Sequence, residues 1–168
     1  MTGRIVQINV STGGAPKRAV PQARVLRGGI EGDAHRNAEH HGGPDRALCL
    51  FALERIAALQ AEGHPVEPGA LGENLTIAGL DWAQVQPEAF FLVGDEVLVQ
   101  ITRFTSPCAG VRTAFLDGAY SRVSEKRHPG WSRVYARVLV PGDIAAGDPV
   151  ERLSPADVAR HLAVDLGG

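Results

Sequence analysis

The chain has 168 residues, two cysteines, 20 glycines and 11 prolines, and a formal net charge of −2. A length of this order suits one folding unit that buries about 70% of its unfolded surface, and two cysteines are too few for a disulfide framework. No stretch of ~18 uninterrupted apolar residues occurs, and the start "MTGRIVQINV" lacks a basic-then-apolar leader, so a soluble, cytoplasmic protein with no membrane partner is expected.

Charge is unevenly placed. Residues 103–140 hold seven Lys/Arg against two Asp/Glu, while the remainder holds ten against seventeen. A basic segment inside an acidic chain points to a local anionic ligand rather than to nucleic acid, with a solvated face as the plainer alternative. The dispersed glycines and prolines favour many short elements joined by turns, hence a mainly β domain with short helices.

In chain order, Arg4–Val10 alternates as a half-buried strand with Val6, Ile8 and Val10 on one face. A second short strand is predicted around Ala23–Leu26, followed by a polar loop from Glu31 to Asp45 that carries Asp33, His35, His40 and His41. Arg46–Phe51 reads as an apolar strand, and Leu53, Ile56, Ala57 and Gln60 follow helical spacing up to a stop at Gly63. Strands are predicted around Leu75–Ile77 and on both sides of Gly94-Asp95, the second with Val97, Val99 and Ile101 facing the core. Pro107 ends that strand, because it has no N–H for a ladder, and a helical turn is expected over Thr113–Leu116. Two more strands flank the Pro141-Gly142 turn. Ser154 to Asp157 forms a capping box with Pro155 at the first helical position, so Val158, Leu162 and Leu166 line a terminal helix.

Cys108 is the strongest candidate for chemistry. It follows a strand and a proline in "RFTSPCAGVR", where an exposed thiol is expected, and the guanidinium groups of Arg103 and Arg112 would favour its thiolate, the form that attacks electrophiles and binds soft metals. The plainer reading is a small apolar filler in a turn. Cys49 alternates with Ala47 and Phe51 in a strand and reads as core packing. The histidine pair His40-His41 suggests a metal site, but neighbours in extended backbone point opposite ways, which favours a polar glycine-rich loop. Asn74 in "GENL" has an amide that suits a flat heterocycle and suits turn closure equally well.

Taken in order, "GIEGDAH", "HHGGPDRALCLFALE", "GALGENLTIAGLDW", "FLVGDEVLVQITRFTSPC", "HPGWSRVYARVL" and "PGDIAAGDPV" resemble the MOSC domain, the C-terminal part of molybdenum-cofactor sulfurases. The resemblance runs from about Thr2 to Leu153, follows the small stand-alone bacterial type, and leaves residues 154–168 as a C-terminal helix of the same single domain. It implies a closed β-barrel of pyruvate-kinase-barrel type that binds a molybdenum cofactor of the molybdopterin type. Cys108 falls on the family's functional cysteine and would ligate molybdenum. Asn74, Thr105 and Ser106 fall near the cofactor in the family, and His41 and Asp45 belong to its "HGG" segment. Arg103, Arg112 and Arg133 would hold the anionic phosphate. A pyridoxal phosphate-binding label also goes with the family.

The activity this implies is reduction of N-hydroxylated compounds, such as hydroxylamino-purines or amidoximes, by an oxidoreductase. The sequence carries neither the N-terminal β-barrel of larger amidoxime-reducing relatives nor a ferredoxin-like segment, so electrons are expected from a separate reductase. Two alternatives remain: a persulfide sulfur carrier loaded by a cysteine desulfurase, and a non-catalytic cofactor-binding module.

Overall fold

A computed structural model describes residues 2–34 and 43–167. In chain order the strands are β1 (Thr2–Val10), β2 (Arg18–Val20), β3 (Gln22–Leu26), β4 (Gly29–Ile30), β5 (Leu48–Ala52), β6 (Leu75–Ala78), β7 (Phe90–Val93), β8 (Val97–Phe104), β9 (Val134–Val140), β10 (Gly142–Ala145) and β11 (Pro149–Leu153). Helix α1 spans Leu53–Ala61 and α2 spans Pro155–Gly167.

Seven strands close a barrel in the order β11-β7-β8-β9-β5-β6-β1, and β1 returns to β11 through pairs such as Thr2↔Glu151 and Arg4↔Pro149. The resemblance had implied such a closed β-barrel, and closure removes the unpaired edges that an open sheet exposes. Along β1 the other edge belongs to β6, so β2 takes over at Ile8–Val10 where β11 has ended. All barrel pairings are antiparallel except β5 with β6. A parallel pair needs a crossover, and α1 provides it, starting directly where β5 stops.

Strand patterning explains most of the core. Val97, Val99 and Ile101 are buried as their alternation predicts. In β1 the phase slips: a bulge between Ile5 and Gln7 buries Ile5 and Ile8 fully and leaves Val6 half-buried. The extra residue of a bulge turns the side chains beyond it to the other face, so simple alternation misplaces Val6. Phe51 in β5 is fully buried and packs edge-on to Trp82, with ring centroids 6.1 Å apart.

The strands flanking Pro141 do not form a hairpin. β10 leaves the barrel and pairs with β3 from Gly142↔Val25 to Ala145↔Gln22, and β4 completes a three-stranded sheet. Gly142 makes that departure possible, since a Cβ there would lie 2.5 Å from a Glu96 carboxylate oxygen. The expected helical turn at Thr113–Leu116 is displaced to a 3-10 turn over Ala109–Ala114, after which Phe115 is extended.

The capping box of α2 forms as predicted. Asp157 N–H donates to Ser154 Oγ at 3.1 Å and Ser154 N–H to Asp157 Oδ2 at 3.3 Å; the Ser154 hydroxyl, donating to the same Oδ2 at 2.9 Å, and then the Ser154 amide hold the Asp157 carboxyl below its usual range. Val158 and Leu162 then pack on Leu98 and Leu153 outside the barrel, while the side chain of Leu166 lies outside the described ones. Among the described residues no helix is long and apolar enough to cross a membrane.

This packing separates two substitutions. Phe51→Ala should cost about 3–5 kcal/mol, because the barrel cannot collapse around the missing ring. Val164→Ala, on the exposed face of α2 at 75% exposure, should stay within about 0.5 kcal/mol. Urea unfolding of both variants measures the contrast.

Candidate functional site

The C-terminal ends of β1 and β8 and the N-terminal ends of β6 and β9 meet level with the middle of β5, where Leu50 pairs with both Leu75 and Val134. A cavity of about 160 Å3 opens there, and its walls include Lys17, Cys49, Asn74, Cys108, Arg133 and Tyr135. The two cysteines of the chain therefore share one cavity.

The wall is built on hydrogen bonds at strand ends. Asn74, buried at the start of β6, ties β6 to both neighbours: Cys49 N–H donates to its Oδ1 at 3.0 Å, its own N–H donates to Cys49 O at 2.7 Å, and Asn9 N–H donates to Asn74 O at 2.7 Å. Its Nδ2 donates to Asn9 O at 3.3 Å and to Asp33 Oδ2 at 2.8 Å. Both amide hydrogens are thus spent inside the protein, so Asn74 shapes the cavity from within rather than offering them to a ligand.

Asp33 is the next link. Its Oδ2 also takes Lys17 Nζ at 2.5 Å and its Oδ1 takes Ser11 N–H at 2.9 Å, with the Lys17 and Asp33 side chains only 4% and 3% exposed. The ammonium of Lys17 reaches the cavity wall already paired.

Cys108 arrives from the opposite side. Beyond β8, Thr105 N–H donates to Arg133 O at 3.0 Å, Thr105 Oγ1 donates to the same carbonyl at 3.4 Å, and Ser132 Oγ donates to Thr105 O at 3.0 Å. Pro107 then turns the chain, and Cys108 stands exposed just before the 3-10 turn, where Val111 N–H caps its carbonyl at 3.1 Å. A Cβ on Gly110 would come within 3.4 Å of Cys108 Sγ, so glycine keeps the space beside the sulfur open.

The electrostatics follow burial. Cys49 is pushed up to about 11, chiefly by burial, with the Arg133 guanidinium pulling the other way. Tyr135, the cross-strand partner of Cys49, is pushed up to about 12, again chiefly by burial and then by the nearby Cys49. Both groups stay neutral near pH 7. Arg133 is 7% exposed; one terminal nitrogen donates to Leu71 O at 2.5 Å, and its Nε has no partner among the described residues. Burial also raises Glu73, which sits behind Asn74 and accepts a 3.2 Å bond from Thr76 Oγ1.

The residues proposed from sequence fall into three groups. Cys108, Ser106, Asn74 and Arg133 come together around the cavity, whereas Thr105 is buried behind it as a brace. Arg103 and Arg112 are exposed and outside the cavity wall, and Asp45 is engaged by Arg137 at 2.8 Å, with its carbonyl accepting from Thr102 Oγ1 at 2.5 Å. His41, with His35 and His40, lies outside the described residues, and among those described no cluster of three metal-ligating side chains occurs. Sequence reasoning missed Lys17 and Tyr135, and placed Cys49 in the core with no role at the cavity. The pairing of Cys49 with Tyr135 across β5 and β9 is the signal that joins them, and it needs the strand register.

Iodoacetamide near neutral pH should modify Cys108 in the folded protein and reach Cys49 only on unfolding, as read by peptide mapping. The raised Cys49 thiol also fixes a sign. Folding favours its neutral form, so that contribution to stability is complete below the ordinary value of 9.0 and is lost as pH climbs toward about 11. Across that window wild type should lose about 2 kcal/mol more than Cys49→Ala in urea unfolding.

Comparison with known proteins agrees with this architecture. A family model described as the MOSC domain matches residues 37–151. Protein YiiM of Escherichia coli (strain K12) is 35% identical across 82% of this chain and 66% of its own length. A protein named Reductase from Gibberella moniliformis is 30% identical across 74% of this chain and 22% of its own length. The chain thus spans just under two thirds of the first relative and under a quarter of the second. The crystal structure of YiiM from Geobacillus stearothermophilus superposes with a TM-score of 0.70 at 26% identity, covering 90% of this chain and 75% of that one. With more than half of its length matched by the family model and the closed barrel of its structural relatives, the chain belongs to the MOSC domain family.

Proposed function

We propose that this chain binds a molybdenum cofactor at the Cys108 cavity, with the Cys108 thiolate as a molybdenum ligand, and reduces N-hydroxylated compounds. The observation that carries the reading is an exposed thiol in the same wall as a nearly buried guanidinium whose Nε lacks a partner among the described residues. A soft metal takes a thiolate, and an unpaired buried donor suits an anionic group beside it. Membership of the MOSC family and the name of the fungal relative point the same way.

In this reading the bound cofactor supplies the two-electron change that cleaves an N–O bond. The protein's own residues do the rest. Cys108 and Arg133 hold the group, and Lys17, fixed by Asp33, adds positive charge to the wall. Tyr135 keeps its hydroxyl proton throughout the neutral range and orients the substrate oxygen. Converting an N–OH group to N–H consumes two electrons and two protons and releases water, and a separate electron-transfer protein delivers the electrons.

Metal and pterin analysis after expression in a cofactor-competent host tests the reading. Wild type should carry molybdenum and Cys108→Ala should retain at most about a tenth as much, the loss expected when one strong ligand worth roughly 1.4 kcal/mol or more is removed. Molybdenum missing from wild type, or equal in the variant, would overturn it.

A further inference from the structure

Behind the segment that carries Cys108 lies a second, open cavity of about 640 Å3, within the range of small-molecule sites. Thr105, Ser106 and Pro107 form one wall, and Ser106 belongs to both cavities. The half-buried rings of Phe104 and Tyr120 supply apolar surface, Ser121 and Ser124 supply hydroxyls, and Lys126 and Arg127 supply charge.

The loop that carries those two cations is pinned through its backbone. His128 N–H donates to Ser124 O at 2.7 Å, Gly130 N–H to a Glu125 carboxylate oxygen at 3.0 Å, and Trp131 N–H to His128 O at 3.1 Å. The Trp131 ring then takes the guanidinium of Arg122 at 3.9 Å and that of Arg55 at 4.7 Å. Arg122 is itself neutralised by Glu62 through two bonds of 2.8 Å. Lys126 and Arg127 differ, because among the described residues neither has an ion-pair partner. A pinned loop that carries two cations without ion-pair partners among the described residues, beside hydroxyls and aromatic rings, suits an anion attached to a flat ring.

We infer that this second cavity binds an aromatic phosphate of nucleoside-monophosphate size, its phosphate on Lys126 and Arg127 and its ring against Phe104 and Tyr120. The ligand class follows from the cavity's own lining. Only the further step, that a substrate anchored there extends past Ser106 toward Cys108, rests on the proposed reductase reading. The one carboxylate in the wall, Glu125, is committed to the Gly130 amide and opposes the anion.

Calorimetric titration of the purified chain with adenosine 5′-monophosphate, adenosine and inorganic phosphate separates the contributions of ring and charge. The monophosphate should bind at least about ten-fold more tightly than either fragment. The double variant Lys126→Ala/Arg127→Ala changes only exposed side chains, should keep the wild-type circular dichroism, and should bind the monophosphate no better than adenosine. Glu125→Gln, which retains an acceptor for Gly130, should bind it more tightly. Absence of binding, equal affinity for monophosphate and adenosine, or wild-type affinity in the double variant overturns the inference. None of these readouts depends on molybdenum, so Cys108→Ala should bind the monophosphate normally even if the reductase reading fails.

Discussion

One wall of the Cys108 cavity is tied together by a single buried carboxylate. Asp33 accepts from Ser11 N–H, Lys17 Nζ and Asn74 Nδ2, and so joins the chain leaving β1, the cation of the cavity wall and the first residue before β6. Three donors on two oxygens recover part of the solvation that a charge gives up on burial, which is the condition under which a buried ion pair persists. Removing one partner would strand the others, a loss typically of about 3–5 kcal/mol. The barrel therefore does not simply hold the cavity. The polar contacts that close its rim are also the contacts that set the cavity's shape.

Barrel closure creates the need for such contacts. In the middle of a closed barrel every strand has neighbours on both sides, but at its ends backbone groups outrun the ladder and need other partners. Here Asn74 serves β1 and β5 at once, Thr105 and Ser132 lock β8 to β9, and Arg133 closes Leu71. Nearly all of these residues spend their polar atoms on the rim itself. The exceptions are informative: Arg133 Nε remains unspent among the described residues, and the Cys108 thiol stands clear of the rim. Glu73 Oε1 also lacks a partner among the described residues, but Glu73 lies behind Asn74 and is not part of the cavity wall.

How far the sequence was legible depends on the range of the interaction. Alternation marked β8, and Ser154 to Asp157 marked the start of α2, because strand faces and helix caps are local. The β1 bulge, the parallel β5–β6 pair and the move of β10 to β3 were not legible, since each is decided by a distant partner. The same division runs through the site. Pro107 announces an exposed Cys108 within its own segment. Nothing near Lys17 announces a carboxylate 16 residues away, and no pattern in β5 tells a packing cysteine from one in a cavity wall. Net charge misleads in a related way: the basic segment counts seven cations, but Arg122 and Arg137 are neutralised by Glu62 and Asp45 from elsewhere in the chain.

Of the five cations that remain, Arg103 and Arg112 are exposed outside both cavities, and the other three divide between them. Arg133 is enclosed in the cavity beside the thiol, whereas Lys126 and Arg127 stand over a different hollow on the other side of the Thr105–Pro107 wall. A guanidinium buried in a small, mostly apolar cavity acts at short range and resists salt, while exposed cations above an open hollow are screened within about 8 Å at physiological ionic strength. The two sets thus line different cavities, although a single basic segment encodes both. The wall between them is a short stretch ending in a proline, braced at Thr105 by the Arg133 carbonyl. On the two proposed readings, the anion held beside the sulfur and the anion held by Lys126 and Arg127 lie on opposite sides of one strand end, and Ser106 faces both.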